Sequence, residues 1–376
     1  MDIVRLNTIA AKLLPQKKKS IVFYGRSMLY CNSIQLVRYL IANGYNKKYK
    51  IYLVCTDKKA TAQFDGVQNV YIEESKFGGL LKTLTAKYVF TETGYGKAAH
   101  VPVKGQYVIN LWHGTALKVL GEKPMYGKIF SHTLCAGEFA RKYFAEIWNL
   151  DDEKIYRGGY PSSDALFGDN DVLAKFSIDR SAYDKVIVYM PTFRKSDRAH
   201  WVDSDAEIPL LDSENIEELT AKLAEKKTLL IIKPHPLQND VGLFEMCKGN
   251  MMVLKNDDMF AKGSNIYDIL SCSDALITDY SSIYFEYLLT DKPIGFAIED
   301  IDSYGKNRGF VVDDPLEFMP GKKILNARDL IDFIDDIGSG KDQWKEERER
   351  IRKLTNYYEE AGDYCRKILD YIGIKA

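Results

Sequence analysis

The residues best suited to chemistry stand just past short apolar runs. Ala275–Thr278 reads as a buried strand and leads into Asp279-Tyr280-Ser281-Ser282, after which IYFEYLL reads as helix. Ser281 or Ser282 suits the cap of that helix, leaving first-turn amides exposed. Those amides, two hydroxyls and the positive end of the helix dipole make a phosphate cradle. Glu286 follows Ser282 by one turn on the same face, where a carboxylate accepts hydrogen bonds from ribose hydroxyls. The set suits a nucleoside diphosphate. It equally describes a serine-capped helix behind a strand, with no ligand at all.

Two histidines occupy similar positions. Tyr107–Leu111 reads as a strand followed by Trp112-His113-Gly114-Thr115 and a short helix. Gly114 permits a tight turn, Thr115 suits the helix cap, and His113 then projects at the sheet edge. An imidazole there suits proton abstraction near neutral pH, or else packs on Trp112. The run LLII ends in Lys233-Pro234-His235-Pro236. Each proline holds the residue before it extended, so Lys233 and His235 share a stiff loop fit for an anion or for a plain rigid turn. After Val186–Met190 comes Pro191-Thr192-Phe193-Arg194, whose guanidinium suits a phosphate, though most arginines are simply solvated. Gly25-Arg26-Ser27 lacks dinucleotide-motif spacing. The five histidines have no zinc spacing, and His100, His132 and His200 read as structural or solvated. Three Asp-x-Asp pairs among 53 acidic residues carry little information about a metal.

Positioning these groups takes alternating strands and helices. Strand-like runs at Ser20–Tyr24, Ile51–Cys55, Val70–Ile72, Tyr88–Phe90 and Ile155–Arg157 accompany helices at Ser33–Asn43 and Ala136–Trp148. The pattern restarts with strands at Leu229–Ile232, Met251–Leu254, Ile294–Ala297 and Phe310–Val312 and a helix at Asn215–Glu225. Alternation of this kind predicts parallel sheets covered by helices. Gly158–Tyr183, rich in Gly, Pro, Ser and Asp, reads as the linker. The expected division is residues 1–170, 180–345 and a helical segment 346–376.

At 376 residues and 46% hydrophobic, the chain has ample core for two domains. A net charge of −1 gives no basic field to recruit nucleic acid. The six cysteines contain no C-x-x-C pair and suit reduced core thiols of a cytosolic protein. No signal peptide or apolar run of membrane-spanning length is visible. Ile3, Leu6, Ala10, Leu13 and Leu14 recur at helical spacing beside Lys17-Lys18-Lys19. That combination suits an anionic membrane surface, or a helix packed on its own domain followed by a solvated charge run.

Read together, the motifs Tyr30-Cys31-Asn32, Gln106–Gly121 (QYVINLWHGTALKVLG), Gly159-Tyr160-Pro161, Val188–Arg194 (VYMPTFR), Lys233–Pro236, Leu276–Leu288 (LITDYSSIYFEYL) and Arg308-Gly309-Phe310 resemble the CDP-glycerol glycerophosphotransferases of wall teichoic acid and capsule synthesis. Seven motifs in order, over about residues 25 to 312, carry the resemblance. Ser162 stands where the family often has Arg, and Glu286 where it commonly has Asp.

The resemblance implies a GT-B architecture of the α/β class: two Rossmann-like domains facing a cleft, with the last helix crossing back to the first. It implies transfer of glycerol phosphate from CDP-glycerol to a hydroxyl of a lipid-linked (undecaprenyl diphosphate) saccharide, with release of CMP and no cofactor or metal. It assigns His113 as general base and His235 to the diphosphate and the departing phosphate. Arg194, Lys233, Thr278, Asp279, Ser281, Ser282, Glu286 and Arg308 fall on the donor side, Asn32, Gly114, Thr115 and Lys118 on the acceptor side. It implies peripheral attachment at the cytoplasmic membrane face, through the N-terminal helix and the apolar-basic run Val119–Phe130. A CDP-ribitol relative, a chain-extending polymerase, a nucleotide-sugar glycosyltransferase and an inactive scaffold are the alternatives.

Overall fold

The computed structural model describes residues 2–26, 29–168, 171–192, 208–211, 215–235, 241–358 and 360–376. Its contacts divide into two units, one of Met1–Thr115, Leu120–Phe167 and Leu354–Ala376, the other of Ala116–Val119 and Gly168–Lys353. Neither is a continuous stretch of chain.

The first unit is built on β1 (Lys17–Arg26), β2 (Lys50–Cys55), β3 (Val70–Glu73), β4 (Ala86–Thr91), β5 (Tyr107–Asn110), β6 (His132–Cys135) and β7 (Ile155–Arg157). They form one sheet in the order β3-β2-β1-β4-β5-β6-β7, every pairing parallel. The order reverses between β1 and β4, which makes their carboxyl ends the natural ligand edge. Phe23 and Phe90, facing neighbours on β1 and β4, stack at 5.1 Å in the core. Lys17-Lys18-Lys19, which follows the helix Ile3–Leu13, opens β1, and its three residues stay exposed.

Part of the expected linker belongs to this unit's core. Tyr160, Pro161, Ser162, Ser163, Ala165 and Leu166 are buried. Side chains satisfy the backbone there: Asn32 Oδ1 accepts from Ser162 N–H at 2.9 Å, while Asp164 accepts from the amides of Tyr364 and Cys365 at 2.7 and 2.8 Å. Asp164 thereby caps the helix Tyr364–Ile372, whose N-cap residue Asp363 is left-handed and makes no side-chain cap bond. The terminal segment expected to be helical contains two helices, Lys345–Thr355 and Tyr364–Ile372.

The second unit carries β8 (Lys185–Met190), β9 (Thr228–Ile232), β10 (Met251–Val253), β11 (Ala275–Thr278), β12 (Ile294–Ala297) and β13 (Lys322–Ile324). The order β10-β9-β8-β11-β12-β13 is again all parallel and reverses between β8 and β11. The strands are near-continuous apolar runs because both faces are covered. On one side Ile187, Leu230, Ile277, Leu223 and Ile334 share a core. Phe310–Val312 is not the sixth strand; β13, hidden by its lysines, takes that place.

Candidate functional site

Beyond β5 the chain bends sharply. Trp112 is left-handed (φ 53°) and Gly114 has φ 114°. A left-handed tryptophan costs roughly 1–2 kcal/mol, so its packing must hold it. Its ring meets Trp148 edge-on at 4.5 Å and Phe144 at 5.8 Å, and its amide donates to Asn110 Oδ1 at 3.1 Å. With Trp112 turned inward, the next residue is driven out. His113 is exposed, its ring 3.9 Å from that of Trp112. Its Nδ1 lies 3.2 Å from the backbone carbonyl of Glu92. A carbonyl only accepts, so Nδ1 carries the proton and the basic lone pair is on Nε2. No helix follows directly; Thr115 is wholly buried rather than a cap, and the short helix is Tyr126–Ile129.

Sequence reading missed Glu92, the first residue past β4. Its carboxyl, 3% exposed, accepts from Ser33 N–H at 2.7 Å. It caps from outside the helix Cys31–Ala42, whose N-cap residue Tyr30 makes no side-chain cap bond. Burial pushes the Glu92 carboxyl up to about 7, and hydrogen bonds from the Ser33, Asn32 and Tyr30 region pull against that. Asn32 braces the same edge, its amide donating to Trp112 O and accepting from Ser162 N–H, both at 2.9 Å. The described bonds of Asn32 are therefore to backbone. The rule that led to His113, looking past each strand end, also marks Glu92.

In the second unit the ends of β8, β9 and β11 meet at the reversal point. Thr278 Oγ1 donates to Met190 O at 2.8 Å, and Asp279 Oδ2 accepts from the amide and hydroxyl of Thr192 at 2.8 and 2.9 Å. Both residues are wholly buried and tie the β8 and β11 loops together. Lys233, 9% exposed, is held by its amide on Tyr189 O at 2.9 Å, with half-buried His235 two residues on. Burial, then Lys233 and Lys118, holds the His235 imidazole down at about 4, so it is neutral at pH 7. Arg194 lies outside the described residues.

The helix after β11 is shorter than expected, Ile283–Tyr287 with a 3-10 turn to Thr290. Ser282 stands at its N-cap in helical geometry (φ −64°, ψ −19°), which aims its side chain away from a cap bond. Half-buried Ser281 and Ser282 thus offer hydroxyls and amides, with little help from a dipole so short. Glu286 is 2% exposed and accepts from Tyr267 O–H at 3.5 Å. Arg308 ends the helix Ile301–Arg308 and is exposed. Lys118, expected beside the acceptor, groups with this second unit and pairs with Phe310.

Two all-parallel sheets, each reversing beside its first strand and each presenting polar groups at that edge, define an α/β protein of the GT-B class. The chain belongs to the family described as CDP-Glycerol:Poly(glycerophosphate) glycerophosphotransferase, whose model matches residues 6–373. It is 28% identical over 251 residues to the teichoic acid glycerol-phosphate primase of Bacillus spizizenii, a match covering 66% of this chain and 59% of that protein. It is 25% identical to a teichoic acid poly(glycerol phosphate) polymerase of the same organism, over 98% of this chain and 96% of that one. Among solved structures, a variant of the wall teichoic acid polymerase TagF soaked with CDPG superposes with a TM-score of 0.76 at 20% identity, over 99% of this chain and 92% of that one.

Proposed function

We propose that this protein transfers glycerol phosphate from CDP-glycerol to a hydroxyl of a lipid-linked saccharide and releases CMP. The observation that carries this reading is the His113 tautomer fixed by the Glu92 carbonyl, within a family named for this donor. His113 Nε2 takes the proton of the acceptor hydroxyl. The oxygen attacks the phosphorus bearing glycerol, and the phosphoanhydride bond breaks to leave CMP. Lys233 offsets charge on the phosphates and His235, Ser281 and Ser282 donate hydrogen bonds to them, while Thr278 and Asp279 hold the loops that carry them. Such transfer rests on positioning and charge stabilisation, and no cofactor enters this scheme. Similarity to the glycerol-phosphate primase supports addition of a single unit. Similarity to a polymerase along nearly the whole chain supports repeated addition as the second reading.

The reading includes attachment to the membrane surface. Among the described residues no helix is long and apolar enough to cross a bilayer. The helix Ile3–Leu13 buries Asn7 and Ala11 and turns Ile3, Leu6, Ile9 and Leu13 outward, Leu13 at 80% exposure. Asn7 anchors the inward face by donating to Lys97 O and Ala99 O at 2.8 and 3.0 Å. An apolar face left in water, near exposed Lys12 and Lys17–Lys19, supports contact with an anionic lipid surface. The run Val119–Phe130 contributes less than expected, since Tyr126, Ile129 and Phe130 are buried.

The test is product analysis with CDP-glycerol, CDP-ribitol and UDP-sugars offered alongside a lipid-linked disaccharide. CMP and a mass gain of one or more glycerol phosphates are expected. His113→Gln should lower turnover by roughly two to four orders of magnitude while CDP-glycerol still binds. Release of a nucleoside diphosphate with sugar incorporation would replace the reading, and near-native turnover of His113→Gln would move the base elsewhere.

A further inference from the structure

The segment just after the His113 loop leaves the first unit and joins the second. Ala116 and Leu117 are buried, Lys118 pairs antiparallel with Phe310, Val119 N–H donates to Gly309 O at 3.1 Å, and Val311 N–H donates to Leu117 O at 2.8 Å. Gly309 is shaped for this seat. Its φ is +72°, and a Cβ there would lie 3.1 Å from Val119 Cγ2. The Phe310 ring, on the same turn, packs 5.7 Å from Tyr280 and 5.9 Å from Tyr304. The strap is thus fixed to the loop that carries Ser281 and Ser282.

Half-buried Lys118 is thereby set among other cations. Burial, then Arg308, lowers its pKa, and Asp279 partly restores it; Lys118 in turn disfavours the imidazolium of His235. Asp279 brings a single negative charge to this edge, and its Oδ2 is also tied to the amide and hydroxyl of Thr192. The ammonium groups of Lys118 and Lys233, the exposed guanidinium of Arg308 and the neutral imidazole of His235 come from three separate segments, and positive charge held partly out of water beside such a donor suits an anion.

We propose that Lys118 is a ligand of the donor's diphosphate in the second unit, carried there by the Ala116–Val119 strap, rather than a contact for the acceptor. This rests on the reading of that unit as the CDP-glycerol site. The probes are CDP, UDP, inorganic pyrophosphate and cytidine, titrated calorimetrically into wild type, Lys118→Met, Lys118→Arg and Gly309→Val. CDP affinity should fall about ten- to hundredfold in Lys118→Met, the range of a hydrogen bond to a charged group, with pyrophosphate falling in parallel. Cytidine affinity should hold, Lys118→Arg should recover part of the loss, and Gly309→Val should reproduce it with Lys118 intact. Unchanged CDP affinity in folded Lys118→Met or in Gly309→Val overturns the proposal, as does an equal loss for cytidine. Equal Lys118-dependent binding of UDP and CDP, with CDP-glycerol not turned over, would instead sink the functional reading and leave this assignment standing.

Discussion

A neutral His235 donates one hydrogen bond where an imidazolium donates two, so its charge state matters to a departing phosphate. Burial, Lys233 and Lys118 hold it at about 4. A diphosphate adds negative charge beside it and moves the pKa upward. At pH 6 the phosphates of CDP-glycerol are already fully ionised, so proton uptake on binding would come from the protein. Calorimetry at pH 6 in buffers of different ionisation enthalpy should detect that uptake in wild type and not in His235→Gln; equal enthalpies after buffer correction of zero would count against it. Glu92 gives a second prediction. Its folded value of about 7 lies above the ordinary carboxylate value of 4.5, because burial disfavours the charge. Its contribution to stability is therefore full below about pH 4.5 and is lost as pH rises towards 7. Urea unfolding of Glu92→Gln should show a flatter pH dependence over that window, while Glu92→Ala should lose about 1 kcal/mol through the missing helix cap. The positions of Lys233 and His235 were legible from the two prolines, whereas the low imidazole pKa was not, since it comes first from burial and then from Lys233 and from Lys118, which is far away in sequence.

At the scale of elements, the N-terminal helix departs from the usual arrangement, keeping an asparagine inside and its leucines outside. It also touches the helix Lys76–Thr85, which exposes Phe77 at 77%. Each lysine near an anionic surface contributes about 1 kcal/mol, to which apolar insertion adds. Vesicle flotation should therefore find salt-sensitive binding to anionic vesicles, weakened by neutralising Lys17–Lys19 and more so by Leu13→Glu. Activity on a soluble acceptor analogue should survive both changes. Wild-type protein remaining unbound at low salt would remove the helix from the membrane reading. Periodicity revealed this helix and the long apolar strands. It could not reveal which face points inward, because Asn7 finds its carbonyl partners in residues 97 and 99. Composition read Gly158–Tyr183 as linker, since glycine, proline and serine mark irregular backbone whether or not that backbone is buried.

For the molecule as a whole, the restarting strand–helix alternation disclosed two α/β units, and the motif order disclosed the family. The interleaving of the units was legible only in part, through the resemblance, which implied a last helix returning to the first domain. Ala116–Val119 is too short to show a period, and nothing local marks Leu354–Ala376 as part of the first unit's core. That interleaving constrains the order of events on the ribosome. Tyr364, Cys365, Ile368, Leu369 and Ile372 are buried in the first unit, yet they are translated after all of the second. The nascent first unit must wait with an open groove against its Cys31–Ala42 helix and Pro161–Phe167 turn while the second unit, which ends at Lys353, is made. The half synthesised first is the half completed last, and an interrupted translation product would expose apolar surface where chaperones bind.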